Sequence, residues 1–364
     1  MVTTGPLRPT PARIVEHGRV HEGWFARPFD DPNLDEAAPR WMRWGRVPVP
    51  RRLRFKQWHY LSVVDDRVFF ACAVVDAGYV SSAFAYVVDL PSGRCVTFDT
   101  LAPPGTASVA PTSLRGRTEI KRSGWGRVSF ERHGDRRQVE VDLEGRLDAA
   151  DPAPPVRVRL DIDEDEQKVP PVVVVERSAP RRWLYTHKAY GCPASGRIEV
   201  GSRHYAVTSG RAGFDYNRGY RPRDTWWNWA AASGETSAGT LVGFNLTAHR
   251  RGPARRHDGR PDAADCAVWV GGDDGVSRTK IDRVDFHYDA RRILDPWRVT
   301  EPHGRVDLRF TPLGQRREDV DFGVVVSRFT QPYGWFTGTL RPSAHQEITV
   351  DRIFGVVEQH HARW

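Results

Sequence analysis

Acid–base chemistry in this chain is expected in one run, Asp215-Tyr216-Asn217-Arg218-Gly219, followed after six intervening residues by Trp226-Trp227-Asn228-Trp229. Asp215 supplies a carboxyl group and Tyr216 a phenol, and indoles supply apolar wall. Ligand pockets are mostly apolar and aromatic with a few polar groups, which is the composition seen here. On a strand, Trp227 and Trp229 share one face and Trp226 and Asn228 the other, so Asn228 is a polar clamp opposite the two indoles. The plain alternative is that the tryptophans are core and Asp215 caps a turn through its own backbone.

A second aromatic cluster is Trp58-His59-Tyr60. His59 titrates near neutral pH and is a candidate general acid or base. A lone histidine between two aromatics is more often a hydrogen-bonded structural residue. Trp58, Tyr60, Tyr333 and Glu358 join Trp227, Asn228 and Trp229 as ligand-binding candidates. Glu358, His360 and His361 lie close together near the end of the chain, but only Glu358 and His360 share a strand face. With no third ligand in view, no metal is expected.

These residues need elements to hold them, and the elements read as strands. Gln57 to Val64, Val68 to Asp76 and Tyr79 to Leu90 are rich in β-branched and aromatic residues and are separated by turn signals. Val68 to Val75 is apolar on both faces, which requires both faces to be covered or one to line an apolar lumen. Val139, Val141 and Leu143, and then Val156, Val158, Leu160 and Ile162, alternate with polar residues, so those strands have one wet face. Further strands are expected from Trp183 through Val357, with Phe214 to Arg218, flanked by Gly213 and Gly219, as a turn or bulge beside them. The 32 glycines and 27 prolines suit many short strands joined by turns. The expected fold is all-β, with two antiparallel barrels. Residues 1–52 form a mostly irregular arm, 53–175 the first barrel and 176–364 the second. Asp148 to Pro155 and Asp163 to Pro171 read as linkers, the acidic run Asp163 to Glu166 as a solvated loop, and His249 to Pro261 as a loop.

Composition narrows the partners. The formal net charge is +8, with 54 basic and 46 acidic residues. Lysine occurs only at 56, 121, 168, 188 and 280, and arginine supplies the rest, a skew that fits a GC-rich bacterial genome. Because the arginines are scattered among acids, nucleic acid is not an expected partner. The stretch Arg40 to Lys56 is denser in arginine and carries Trp41 and Trp44. It has the make-up to touch nucleic acid or an anionic membrane, but the reading favoured is an arm packed on its own domain by aromatic anchors. The four cysteines make no C-x-x-C pair, which suggests thiols in a reducing, cytoplasmic compartment. No apolar run reaches the ~18 residues of a spanning helix, so no integral membrane segment is expected. There is no G-x-S-x-G elbow, Walker loop, G-x-G-x-x-G after a strand or H-E-x-x-H, and no cofactor is expected. The expected partner is a hydrophobic small molecule.

Four segments carry a resemblance. Lys56-Gln57-Trp58-His59, Tyr185-Thr186-His187-Lys188, Thr225 to Ala230, and Phe354 to Trp364 resemble K-x-W-H, Y-T-x-K, T-x-W-N-W-A and F-G-x-x-E-x-H-x-A-x-W of the family known as domain of unknown function 2804. More distantly, an Asp before a Gly and a W-x-W strand is similar to the group of AttH-like proteins, carotenoid 1,2-hydratases and lipocalin-like Diels–Alderases. That resemblance implies two lipocalin-like barrels and terpenoid, polyketide or lipid-like substrates. It also implies an apolar site in or between the barrels, with hydratase, isomerase or cyclase chemistry; a carrier or sensor of the same ligand is the alternative. Only Asp215, Gly219, Trp227 and Trp229 carry over. Where the hydratases have Asp-His-Glu, this chain has Asp215-Tyr216-Asn217. Water addition to an alkene needs a placed acid, which puts that reaction in doubt; the catalytic candidates are Asp215, acting alone with desolvation beside the indoles raising its pKa, or Asp215 with His59 or Tyr216.

Overall fold

The computed structural model describes residues 7–44, 46–145, 153–249, 265–273, 275–321, 323 and 325–364. Apart from two 3-10 turns, Leu34–Ala37 and Arg51–Leu53, its regular elements are strands. The chain divides into two compact units: residues 1–167 with 171–221, and residues 168–170 with 222–364.

The first unit is a nearly closed antiparallel barrel. Its main strands are β1 (Phe55–Asp65), β2 (Val68–Asp76), β3 (Ser81–Asp89), β4 (Cys95–Ala102), β5 (Ala107–Ser108), β6 (Gly116–Arg122), β7 (Gly126–His133), β8 (Arg136–Leu143), β9 (Val156–Asp163), β10 (Val172–Ala179), β11 (Arg182–Val200) and β12 (Arg203–Tyr220). The path runs β5-β6-β7-β8-β9-β11-β12-β1-β2-β3-β4. Strands β5 and β6 come back against β2. The Ala107 amide donates to the Ser81 hydroxyl at 3.0 Å. Strand β10 pairs off the path with β11 and with the short strand Gly23–Trp24.

Because β10, β11 and β12 complete this sheet, the chain changes unit at Arg221/Pro222 and not at the expected 175/176. The arm expected over 1–52 is also more ordered than expected. It holds short strands, and Trp41–Trp44 pairs with Val47–Pro50 as a hairpin.

The second unit is a nine-stranded half-barrel built from β13 (Asp224–Glu235), β14 (Leu241–His249), β15 (Ala267–Gly272), β16 (Gly275–Lys280), β17 (Asp285–His287), β18 (Trp297–Thr300), β19 (Val306–Asp321), β20 (Val326–Ser343) and β21 (Gln346–Arg363). Strand order is β16-β15-β14-β13-β21-β20-β19-β18-β17. One face packs as a hydrophobic core that includes Phe244, Val268, Trp297, Leu308, Phe336 and Val357. Strand β21 sits mid-sheet rather than closing a barrel. Trp364 is tied down by its indole donating to Thr225 Oγ1 at 3.1 Å. The loop expected at His249 to Pro261 lies outside the described residues from position 250, and most of the linker at Asp148 to Pro155 does too. Among the described residues no helix is long and apolar enough to cross a membrane.

Candidate binding and catalytic site

Strand pleating decides which candidates can meet. In the first barrel His187 of β11, Tyr216 of β12 and His59 of β1 stand in one row. All three face the interior. There His59 lies 5.2 Å from the Phe130 ring and 5.5 Å from that of Tyr216, centroid to centroid. His59 Nδ1 reaches Thr118 Oγ1 on the far side of the barrel at 3.3 Å. His187 Nδ1 bonds Ser113 Oγ at 2.7 Å. The Tyr216 phenol donates to the Ala110 carbonyl at 2.8 Å and accepts from Arg218 at 2.9 Å. Burial, helped by the Arg137 guanidinium, holds the His59 pKa well below its ordinary value. Burial raises that of Tyr216.

Arg137 chelates Glu164 through both carboxylate oxygens, and Arg132 Nη1 lies 3.3 Å from the same carboxylate. The interior is therefore bridged by side chains, not an apolar lumen. Glu164, expected in a solvated loop, is 3% exposed. It continues the inward side of β9 past Leu160 and Ile162, where the two guanidiniums compensate its charge.

The other side of the same strands carries the remaining candidates. Lys188, Asp215 and Tyr60 form one row, and Thr186, Asn217 and Trp58 the next. Lys188 Nζ is 3.0 Å from Asp215 Oδ2, with both side chains nearly out of water. Asn217 donates to Thr186 Oγ1 at 2.8 Å and accepts from Arg221 at 3.0 Å. The Arg221 guanidinium lies over the Trp58 ring at 4.4 Å. Farther along this face the rings of Phe84 and Tyr86 stack at 6.1 Å.

The turn or bulge expected at Phe214 to Arg218 is instead extended strand, paired on both sides. Gly219, at φ +143°, lets the Trp183 carbonyl approach to where a Cβ would stand. The structure also changes the chemistry of Asp215. It is not a solitary carboxyl but stands beside an ammonium, so the pair can accept a proton at one end and return one at the other. His59 and Tyr216, which face the opposite way, do not join it. Sequence reading missed Lys188 as its partner. Its Y-T-x-K segment was in view, but a register between β11 and β12 is not written in either strand alone.

In the second unit Trp227 and Trp229 do share a face, with Glu358, His360, Phe329, Gln331 and Tyr333 on neighbouring strands. This is the face turned away from the hydrophobic core. Trp227 Nε1 donates to Glu358 Oε1 at 2.7 Å, and Gln331 Nε2 to Glu358 Oε2 at 3.0 Å. Trp229 Nε1 donates to Asn245 Oδ1 at 2.7 Å. Gly314 opposes Tyr333, and the phenol lies where a Cβ would stand. Asn228 faces the core side. Its amide donates to Tyr288 Oη at 2.8 Å and to the Glu358 carbonyl at 3.2 Å, which makes it a sheet brace rather than a ligand clamp. His360 Nε2 bonds Ser327 Oγ at 3.0 Å, and His361 stacks on Trp226. Among the described residues no group of three or more His, Cys, Asp or Glu is placed to hold a metal ion.

No curated protein sequence matches this chain. Solved structures similar to it include an AttH candidate from Nitrosomonas europaea, at 14% identity and TM-score 0.47, covering 84% of this chain and 92% of that one. Kievitone hydratase from Nectria haematococca is similar at 10% identity and TM-score 0.42, over 86% of this chain and 90% of that one. CghA with Sch210972 is similar at 10% identity and TM-score 0.47, over 85% and 89%. The family model of the domain of unknown function DUF2804 matches residues 10–364, nearly the whole sequence, and the chain belongs to that family.

Proposed function

We propose that this protein binds an extended, largely apolar small molecule and performs acid–base chemistry on it with Asp215. The observation that carries the reading is the Lys188–Asp215 pair, held out of water on a face that also presents Trp58, Tyr60, Phe84 and Tyr86. A buried ion pair is a weak source of stability, and hydrophobic replacements of similar volume are often as stable or more so. Perturbed, desolvated charge pairs cluster at functional sites. In the proposed step the Asp215 carboxylate takes a proton from the ligand and the Lys188 ammonium returns one, the net change of an isomerase or cyclase. Trp227, Trp229, Tyr333 and Glu358 are proposed as ligand contacts of the second unit. A cytoplasmic location is proposed on the sequence grounds given above.

The alternative is a carrier of the same ligand, favoured by His59 and Tyr216 facing the barrel interior, away from Asp215. Native mass spectrometry of freshly purified protein, followed by extraction, is expected to find a bound apolar molecule. Recovery of none by either method sinks both readings. With the extracted molecule or its precursor as substrate, Asp215→Asn is expected to abolish turnover and keep binding. Unchanged turnover leaves the carrier.

A further inference from the structure

From Ala37 to Val64 the sequence holds no acidic residue, yet it carries Arg40, Arg43, Arg46, Arg51, Arg52, Arg54 and Lys56. The hairpin of Trp41–Trp44 and Val47–Pro50 projects from this stretch. Its inner side is anchored: Val49 is buried, and Trp44 lies 5.3 Å from the Tyr79 ring. At its base the Arg51 amide donates to the Arg40 carbonyl at 2.9 Å, and the Arg51 side chain pairs with Asp35 at 3.1 Å. The Arg52 carbonyl sits where a Cβ on Gly78 would stand.

Its outer side and its tip carry no such anchor. On the face opposite Trp44 and Val49, Trp41 is 57% exposed, and at the tip Val47, which pairs with Trp44, is 61% exposed. Arg40, Arg43, Arg46, Pro48 and Arg52 are exposed with them. None of those four arginines is ion-paired among the described residues. A fixed, acid-free hairpin that shows water an indole on one face and a valine at its tip, with four exposed arginines beside them, has the make-up of an interfacial membrane anchor. The apolar tips enter the boundary between headgroups and acyl chains, and arginines meet anionic lipid. An indole prefers that boundary because one end is apolar and the other polar.

We propose that this hairpin docks the protein reversibly on an anionic lipid bilayer. Val47 and Pro48 decide for lipid over nucleic acid, since an aliphatic tip offers a base no stacking surface. The proposal is independent of the ligand reading, because it concerns a different surface and needs no bound molecule.

The test is flotation of the full chain with vesicles of phosphatidylcholine alone, and of phosphatidylcholine mixed with phosphatidylglycerol. Binding is expected only to the mixed vesicles and should weaken as salt rises. Arg40→Gln, Arg43→Gln and Arg46→Gln together are expected to reduce partitioning by roughly a hundred-fold, about five-fold for each arginine. Trp41→Ser should reduce it several-fold at unchanged charge. All of these positions are exposed, so thermal melts should match the parent protein. Equal binding to both vesicle types, no loss in the triple variant, or capture of duplex DNA in place of vesicles would overturn the proposal.

Discussion

The two units each keep a carboxylate out of water on the side of the sheet away from their packed interior, and they compensate it differently. In the barrel, Asp215 is met by the Lys188 ammonium. In the half-barrel, Glu358 receives an indole N–H from Trp227 and an amide N–H from Gln331, with His360 Nδ1 3.9 Å away. An ammonium can give up its proton within a reaction, whereas an indole and an amide hold theirs. The first arrangement is therefore suited to moving protons and the second to fixing an acceptor in place. The interiors differ too. The barrel encloses two histidines and an Arg–Glu network, while the half-barrel core is apolar.

Removing the cation should have the largest effect. Lys188→Met leaves Asp215 buried without its ammonium, and should destabilise the first unit by about 3–5 kcal/mol. Adding Asp215→Asn should restore most of that. Hydrogen exchange resolved by unit measures both, and a small loss in the single variant would break the contrast.

Acid comes next. An unfolded histidine takes up a proton near pH 6.5, whereas burial and then the Arg137 and Arg132 charges hold His59 well below that, and His187 likewise. Below pH 6.5 the unfolded chain thus binds more protons. Stability is full above that pH and falls as pH drops toward the depressed folded values. One unit down, at pH 5.5, the two together should cost about 3 kcal/mol. Exchange protection at the two pH values should fall in the barrel more than in the half-barrel, and an equal fall would contradict the assignment.

Glu358→Gln should have the smallest effect, about 1 kcal/mol, because an amide oxygen still accepts from Trp227 or Gln331. A loss as large as that of Lys188→Met would mean the two carboxylates are held alike.

Much of this was legible in sequence wherever the period of two is clean. Val139, Val141 and Leu143 point inward as their alternation requires, and Trp227 and Trp229 share a face for the same reason. Glu164 was legible in principle, since Leu160, Ile162 and Glu164 keep one parity and Arg137 shares the inward side of β8 with Val139. The run of four acids concealed it by resembling a solvated loop. The longest strands were hidden by their own interruptions. Pro312 and Gly314 in β19 and Gly191 and Pro193 in β11 are residue types that ordinarily break strands, but here they sit at or beside register shifts that let a strand coil onward. The Lys188–Asp215 contact depends on inter-strand register, which no single strand encodes.

Strand β1 has a consequence for how the protein is made. It forms near the start of the barrel, but its partner on one side, β12, is among the last barrel strands to be synthesised. A chain growing from the ribosome therefore carries β1–β3 as a meander with one long, apolar, unpaired edge until Tyr220 has emerged. Such an edge is a template for pairing with other chains, and pairing this distant in sequence is slow. Chaperone demand and aggregation in this protein should thus centre on β1, and a nascent chain arrested before β12 should be the most association-prone species in its synthesis.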